Sequence, residues 1–188
     1  MDKDLLERAT KEYYRSYGGA DYYDLAIEIV DSHAIQAAIV LLATWNTGRF
    51  RYLMSSNSKN LADLIKTVNE CKPMFKQLEG QNFQNAKFDE IGSVLKELYS
   101  RFSKVKGVEY TGGSKVMHLL NPRLFLIWDA AMRDHYNFDG RNAEDYLKYH
   151  NLIQQMVQNI KWDDQTKTLP RAIDEYHFIT ITEGRQIP

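Results

Sequence analysis

The feature that most restricts the fold is an apolar run, AIQAAIVLLATW, from Ala34 to Trp45. Wound as a helix, it is apolar almost all round, and such a helix belongs in the middle of a hydrophobic core. Strand-type alternation of apolar and polar residues is scarce elsewhere in the chain. The sequence therefore predicts an all-α protein, built as one domain or as two small lobes that share a core.

Further helices are indicated by spacing and by residues typical of helix ends. Apolar residues recur three, four and seven positions apart in FDEIGSVLKELYSRF, which is helical spacing. Other signals are a polar helix over 3–16 stopped by Gly18 and Gly19, a helix start or kink at Pro73, an N-cap at Asn142, and a helix that starts at Pro170. FITIT, residues 178–182, is the only strand-like run, and an extended surface tail is the alternative.

Cysteine content restricts the compartment and the chemistry. The chain has one cysteine, Cys71, so it forms no intrachain disulfide. It has no CxxC, HExxH or Cys/His cluster, so we expect no metal and no cofactor. The first residues, MDKDLLERATKEYY, do not resemble a signal peptide, and no run approaches the roughly 18 apolar residues of a membrane span. We expect a cytoplasmic or nucleoid-associated protein that is not secreted.

Charge is distributed unevenly along a nearly neutral chain. The formal net charge is -1, so any nucleic-acid surface has to be a local patch. Between Arg101 and Arg123 the only acid is Glu109, and the bases are Arg101, Lys104, Lys106, Lys115 and Arg123, which gives five minus one, or +4. This basic segment fits a grip on a phosphate backbone. An ordinary solvated surface explains it equally well.

The segment KVKGVEYTGGSKV lies in this basic region and predicts a helix, a tight turn and a second helix. Gly112 and Gly113 are suited to the turn, and Ser114 to the N-cap of a helix that starts at Lys115. Free N–H groups beside a lysine form an anion site. A capped helix with a solvated lysine is the simpler alternative.

Asp129 ends the apolar run LFLIWD and precedes the helix-like AAMRDHY. It is a good N-cap for that helix. We expect a carboxylate beside Ile127 and Trp128 to be partly desolvated as well, a setting typical of reactive carboxylates. Capping and catalysis are compatible at one residue.

Taken in order, these segments resemble the helix-hairpin-helix DNA glycosylase superfamily, the relatives of endonuclease III and 8-oxoguanine glycosylase. In that family an apolar helix ends in a polar loop, a hairpin ends in Gly-x-Lys, and a short apolar run is closed by a catalytic aspartate. AAIVLLATWNTG, TGGSKVMHLL and NPRLFLIWDAAMR match these parts. The family's Leu-Pro-Gly-x-Gly hairpin core falls on 109–113, with Thr111 at the first glycine, and the cysteines of the iron–sulfur members are missing.

The resemblance implies a two-lobed, all-α glycosylase fold, with a helical barrel over 33–120 and a second lobe from 1–32 and 121–188. It implies base-excision repair of double-stranded DNA carrying a damaged base that is flipped out of the duplex. Lys115 would form a Schiff base with the sugar in a strand-cleaving lyase step, and Asp129 would stabilise positive charge and relay protons. The base pocket would be formed by Trp45 and Asn46. His118 lies one helical turn after Lys115 and is a further candidate for this pocket, with an ordinary core histidine as the alternative. The phosphate contacts would come from Thr111, Gly112, Gly113, Ser114, Lys104, Lys106 and Arg123.

Two other functions fit the same residues. The chain could keep the fold and the basic hairpin and only bind nucleic acid, as a non-catalytic helix-hairpin-helix module. It could also act on a small phosphorylated ligand at the Ser114–Lys115 helix start. Aromatic residues that converge on Lys115 and Asp129 across one cleft would favour the glycosylase, whereas a filled core between them would favour the module.

Overall fold

A computed structural model describes residues 1–17, 22–55 and 59–187. The regular secondary structure of these residues is helical, and they contain no strand. The predicted all-α class is therefore confirmed. The α-helices are α1 (Lys3–Tyr17), α2 (Tyr22–Trp45), α3 (Thr47–Leu53), α4 (Lys59–Gln77), α5 (Phe88–Ser103), α6 (Glu109–Leu120), α7 (Ala130–His135), α8 (Ala143–Val157) and α9 (Leu169–His177). Gly18 and Gly19, predicted to end the first helix, lie outside the described residues.

Helix α2 contains the apolar run and enters the core. It is kinked at His33, where φ is -137° and ψ is 52°. Beyond the kink Ala37, Ala38, Leu41 and Leu42 are fully buried. By length and composition alone α2 could cross a membrane, contrary to the expectation from the sequence, but core helices of soluble proteins have the same properties.

The hairpin between α5 and α6 turns at Gly107, which is earlier than predicted. Gly107 has φ +91°, and a Cβ on it would lie 2.3 Å from the backbone nitrogen of Leu53. Only glycine fits there, since it tolerates the left-handed region and lets two backbones approach closely. Glu109, the first residue of α6, also has a positive φ, +56°.

The prediction of a turn at Gly112 and Gly113 is wrong, because both lie inside α6. A Cβ on Gly112 would meet Asn46 Nδ2 at 2.7 Å, and one on Gly113 would meet Phe102 Cβ at 3.3 Å. The two glycines therefore let α6 pack closely against α2 and α5. Ser114 is also inside α6 rather than at its N-cap.

The segment after α6 runs through the most aromatic part of the core. Trp128 is fully buried, and its Nε1 donates to the hydroxyl of Tyr99 at 2.8 Å. The rings of Tyr99 and Tyr146 stack with centroids 4.3 Å apart. This packing joins α5, α8 and the 124–128 segment and fixes the direction in which the chain leaves towards α7.

The other predicted helix ends have mixed outcomes. Asn142 caps α8 and accepts from Asp145 N at 2.9 Å, and Pro170 lies in the first turn of α9, as expected. Pro73 lies inside the continuous helix α4, so the predicted helix boundary there is wrong. FITIT is neither a strand nor an extended tail, because Phe178–Thr182 continues α9 as a π-helical turn. The boundaries of the two predicted lobes stay a prediction.

Candidate active site

A cavity of about 390 Å³ lies where α1, α2, α6, α9 and the start of α7 meet. Its size is within the range of roughly 300–1,000 Å³ typical of small-ligand sites. It is lined by Tyr13, Tyr17, Thr44, Trp45, Lys115, Ile127, Asp129, Met132, Asp174 and Phe178. Lys115 and Asp129, the two predicted catalytic residues, therefore share one cavity.

Lys115 projects from the middle of α6 towards the end of α2. Its ammonium donates a hydrogen bond to the Trp45 carbonyl oxygen, and its Nζ lies 5.9 Å from the centre of the Trp45 ring. Burial lowers the pKa of Lys115, and this effect outweighs the opposing charges of Asp129 and Asp174. Burial is therefore the cause of the shift, and the basic residues Lys104, Lys106 and Arg123 do not contribute to it. A buried lysine with a lowered pKa reaches the neutral, nucleophilic amine form more readily than an exposed lysine does.

Asp129 is held by the N-terminus of α7. Its Oδ1 accepts from the backbone N–H of Met132 at 3.1 Å, which confirms the predicted N-cap. Ser114 fixes the same segment to α6, since its Oγ donates to the Trp128 carbonyl at 3.1 Å and accepts from Trp128 N at 3.2 Å. Ser114 precedes Lys115 and Trp128 precedes Asp129, so this bridge sets the relative position of the two cavity residues.

Asp174 is a third charged group in the cavity and was not found from the sequence. Its side chain is 12% exposed and its Oδ2 lies 2.6 Å from Arg171 Nη1. Burial raises the pKa of Asp174 to about 6, against the opposing charges of Arg171 and Lys115. The available sequence signal was the spacing in RAIDEYHF, where Arg171, Asp174 and Phe178 fall on one helical face.

Aromatic side chains form the remaining wall. The ring of Phe178 lies edge-on to those of Tyr13 and Tyr17, with centroids 5.7 and 5.3 Å apart. Trp45 stacks on Tyr23 at 5.4 Å, and the Arg171 guanidinium lies 4.8 Å from the Trp45 ring. Only Trp45 of these rings was predicted as a pocket residue. The others come from the two ends of the chain, which sequence spacing does not relate.

Asn46 and His118, the other predicted pocket residues, do not line the cavity. Asn46 Nδ2 donates to the carbonyls of Gly107 and Val108, each at 3.2 Å, and so ties α2 to the hairpin. His118 is fully buried between the Tyr23 hydroxyl at 2.8 Å and the Phe125 carbonyl at 2.7 Å. Burial lowers the pKa of His118 to about 4, so it is a neutral core residue at pH 7.

The predicted phosphate contacts are scattered. Thr111, Gly112 and Gly113 lie in α6, and the Gly112 N–H is used in a bond of 3.1 Å to Val108 O. A helix N-terminus at Ser114–Lys115, on which the small-phosphate alternative depended, is absent because α6 starts at Glu109. The exposed lysines 104 and 106 flank the hairpin turn. Arg123 lines two adjoining surface depressions that it shares with Asn82.

Within the described ranges, no three His, Cys, Asp or Glu side chains cluster to hold a metal ion. Comparisons with protein families, curated proteins and solved structures gave no match to this chain. The cavity residues are therefore the basis for inferring a function.

Proposed function

We propose that the chain is a DNA base-excision glycosylase with a strand-cleaving lyase step through Lys115. The observation that carries the proposal is a partly buried lysine with a lowered pKa that shares an aromatic-lined cavity with Asp129. A base swung out of a duplex needs a pocket that offers stacking surfaces and polar groups. Trp45 and Phe178 provide such surfaces here.

The chemistry follows from the two charged partners. The neutral amine of Lys115 attacks the sugar C1′, the bond to the base breaks with its electron pair leaving on the base, and the ring opens to a Schiff base. Positive charge develops on the sugar during this step. Asp129 is fixed at the cavity wall by Met132 N–H and needs no reorganisation to stabilise that charge.

Because the turn lies at Gly107, the hairpin motif of the glycosylases aligns with this chain at a different position than the sequence suggested. If Leu-Pro-Gly-x-Gly is aligned on Val105–Glu109, Gly107 and Glu109 take the glycine positions, and both have positive φ. The lysine position of Gly-x-Lys then falls on Thr111. Lys115 is one helical turn later on the same face of α6. The cavity is lined by Lys115 and not by Thr111, which supports Lys115 as the reactive amine.

The proposal includes a DNA-binding hairpin. Lys104 and Lys106 are exposed beside the turn, where they are available to phosphates. The backbone path through Gly107 is fixed by Leu53 and Asn46, so the two lysines project from a rigid turn. We expect binding to double-stranded DNA to weaken steeply with salt, and we propose a cytoplasmic or nucleoid location.

The test is a panel of duplex oligonucleotides, each with one damaged base or one abasic site, incubated with the protein and sodium borohydride. A glycosylase with this mechanism releases the base and gives a covalent adduct stable to denaturing gels. Lys115→Met abolishes the adduct because no amine remains. Asp129→Asn keeps the helix cap and slows adduct formation by roughly 10²-fold or more.

Lys72→Met is the matched control, since Lys72 is an exposed lysine outside the cavity. It should give as much adduct as the unaltered protein. An adduct that persists in Lys115→Met, or no adduct and no base release on any member of the panel, contradicts the proposal.

A non-catalytic nucleic-acid-binding module is the second candidate, and one observation favours it. The Lys115 amine caps the end of α2 through the Trp45 carbonyl, which is a sufficient structural role for a partly buried lysine. In that case DNA binding depends on Lys104 and Lys106 and is unchanged in Lys115→Met. Binding measured by fluorescence anisotropy at several salt concentrations, together with trapping, separates the two candidates.

A further inference from the structure

We propose that Asp174 accepts the proton that Lys115 has to lose before it attacks, and later returns it to the departing base. This role rests on the proposed lyase function and adds a second working carboxylate to the site. Asp174 and Lys115 line the same cavity from different helices, α9 and α6. An ammonium has no lone pair, so every Schiff-base route through Lys115 needs such an acceptor.

The position of Asp174 is fixed by a chain of alternating charges along α9. Arg171 Nη1 lies 2.6 Å from Asp174 Oδ2, and Arg171 Nε lies 3.0 Å from Glu175 Oε1. Glu175 in turn pairs with Lys167 and accepts from Thr10 Oγ1 at 2.7 Å. Glu175 is thereby occupied inside the protein, while Asp174 is the member of the chain that reaches the cavity.

Asp129 and Asp174 differ in what holds them. One oxygen of Asp129 accepts from the N–H of Met132 at the start of α7, which fixes the position of the carboxylate at the cavity wall. Asp174 is held from one side by Arg171, and its side chain is 12% exposed. Two carboxylates with different surroundings around one substrate are suited to two tasks. We assign charge stabilisation to Asp129 and proton transfer to Asp174.

The protons balance without an external donor. The Lys115 ammonium gives one proton to Asp174 and becomes a neutral amine. Its lone pair forms the bond to C1′ while the bond from C1′ to the base breaks, and the base takes the proton held by Asp174. Of the two protons left on the nitrogen, one moves to the ring oxygen as the sugar opens and one remains on the iminium.

Several charged or titratable groups act on Asp174 and set the pH at which it works. They are Arg171 and Glu175 on its own helix, Lys115 on α6, Asp129 before α7, Tyr23 on α2 and Tyr149 on α8. Burial raises the pKa of Asp174 to about 6; Glu175 and Asp129 act in the same direction, and Arg171 and Lys115 oppose it. Below this pH the carboxylate is protonated and cannot accept, so trapping of the unaltered protein should slow as pH falls through about 6.

The test is the rate of borohydride trapping on an abasic-site duplex, measured from pH 5 to pH 9 for the unaltered protein and Asp174→Asn. If Asp174 is the proton acceptor, the asparagine variant is slower by roughly 10²-fold at pH 7. Its rate recovers as pH rises, because hydroxide then removes the proton. If Asp174 acts only as a negative charge, its loss lowers the pKa of Lys115 further and the variant is faster. The two roles therefore predict opposite changes in the trapping rate of Asp174→Asn.

Asp89→Asn is the matched control, since it makes the same replacement at an exposed aspartate in the first turn of α5, outside the cavity. It should trap within a few fold of the unaltered protein. If Asp174→Asn forms the adduct as fast as the unaltered protein or faster, the inference is overturned and the lyase function stands. Absence of any adduct in the unaltered protein overturns both. Thermal melting shows whether the variant is folded, and if it is not, Asp174→Ser is used in its place.

Discussion

Replacing Gly107 with alanine should be among the most destabilising single-methyl additions in the chain. Gly107 has φ +91°, a region that costs an L-residue about 1–2 kcal/mol. The new Cβ would also lie 2.3 Å from Leu53 N, 2.7 Å from its Cα and 2.8 Å from its Cβ. Two of these atoms belong to the backbone, so relief requires the hairpin and the end of α3 to move apart. Overpacking of this kind costs about 1–3 kcal/mol.

The two terms add to about 2–5 kcal/mol, a large part of the roughly 5–15 kcal/mol that stabilises a domain of this type. The displacement also reaches the cavity, because the Gly107 carbonyl accepts from Asn46 and Asn46 follows Trp45. We therefore expect weaker DNA binding as well as lower stability from one methyl group placed outside the cavity.

The assay is urea unfolding followed by circular dichroism, with Gly48→Ala as the control. Gly48 lies within α3, and a Cβ there has nothing within 4 Å, so alanine should stabilise by about 0.5–1 kcal/mol. A Gly107→Ala protein within about 0.5 kcal/mol of the unaltered protein would refute the close approach of the hairpin to Leu53.

Further predictions concern groups that titrate or cap. Burial lowers the pKa of His118 to about 4 and that of His150 to about 3, so the unfolded chain binds protons first as pH falls below 6.5. The unfolding free energy from urea titrations should therefore drop by about 1.4 kcal/mol per pH unit for each of them, and His150→Gln should reduce this slope. Asp129→Ala should cost about 1 kcal/mol in urea unfolding through loss of the α7 cap, whereas Asp129→Asn should stay close to the unaltered protein. Because the pKa of Lys115 is lowered in the folded state, stability should rise with pH towards the ordinary lysine range. Lys115→Met should remove this dependence, and an unchanged pH dependence would contradict burial of the amine.

The helices of this chain were largely predictable because their signals are local. The apolar run that became α2, the spacing in α5 and the caps at Asp129 and Asn142 depend on residues within a few positions of each other. The hairpin register was not predictable in this way. Two adjacent glycines suggested the turn, but tertiary packing used them for helix contact.

The residues of the candidate site also differ in whether local sequence patterns could identify them. Lys115, Asp129 and Trp45 were identified because each ends or follows a recognisable local pattern, and the fold brings them to one cavity. Asp174 was missed because its role depends on a neighbour on α6 that is distant in sequence. Asn46 was assigned to the pocket by the family resemblance and His118 by its spacing from Lys115, but the direction of each side chain is set by contacts with the hairpin and with Phe125.

The central claim is that the amine of Lys115 forms a covalent bond to an opened sugar, and peptide mapping tests it most directly. The protein is reduced with borohydride on an abasic-site duplex, digested with nuclease and protease, and analysed by mass spectrometry. The account predicts a sugar-phosphate remnant on the peptide that contains Lys115, and none on peptides that contain Lys104 or Lys106. A remnant on Lys104 or Lys106 would contradict it, and so would the absence of a remnant from every peptide.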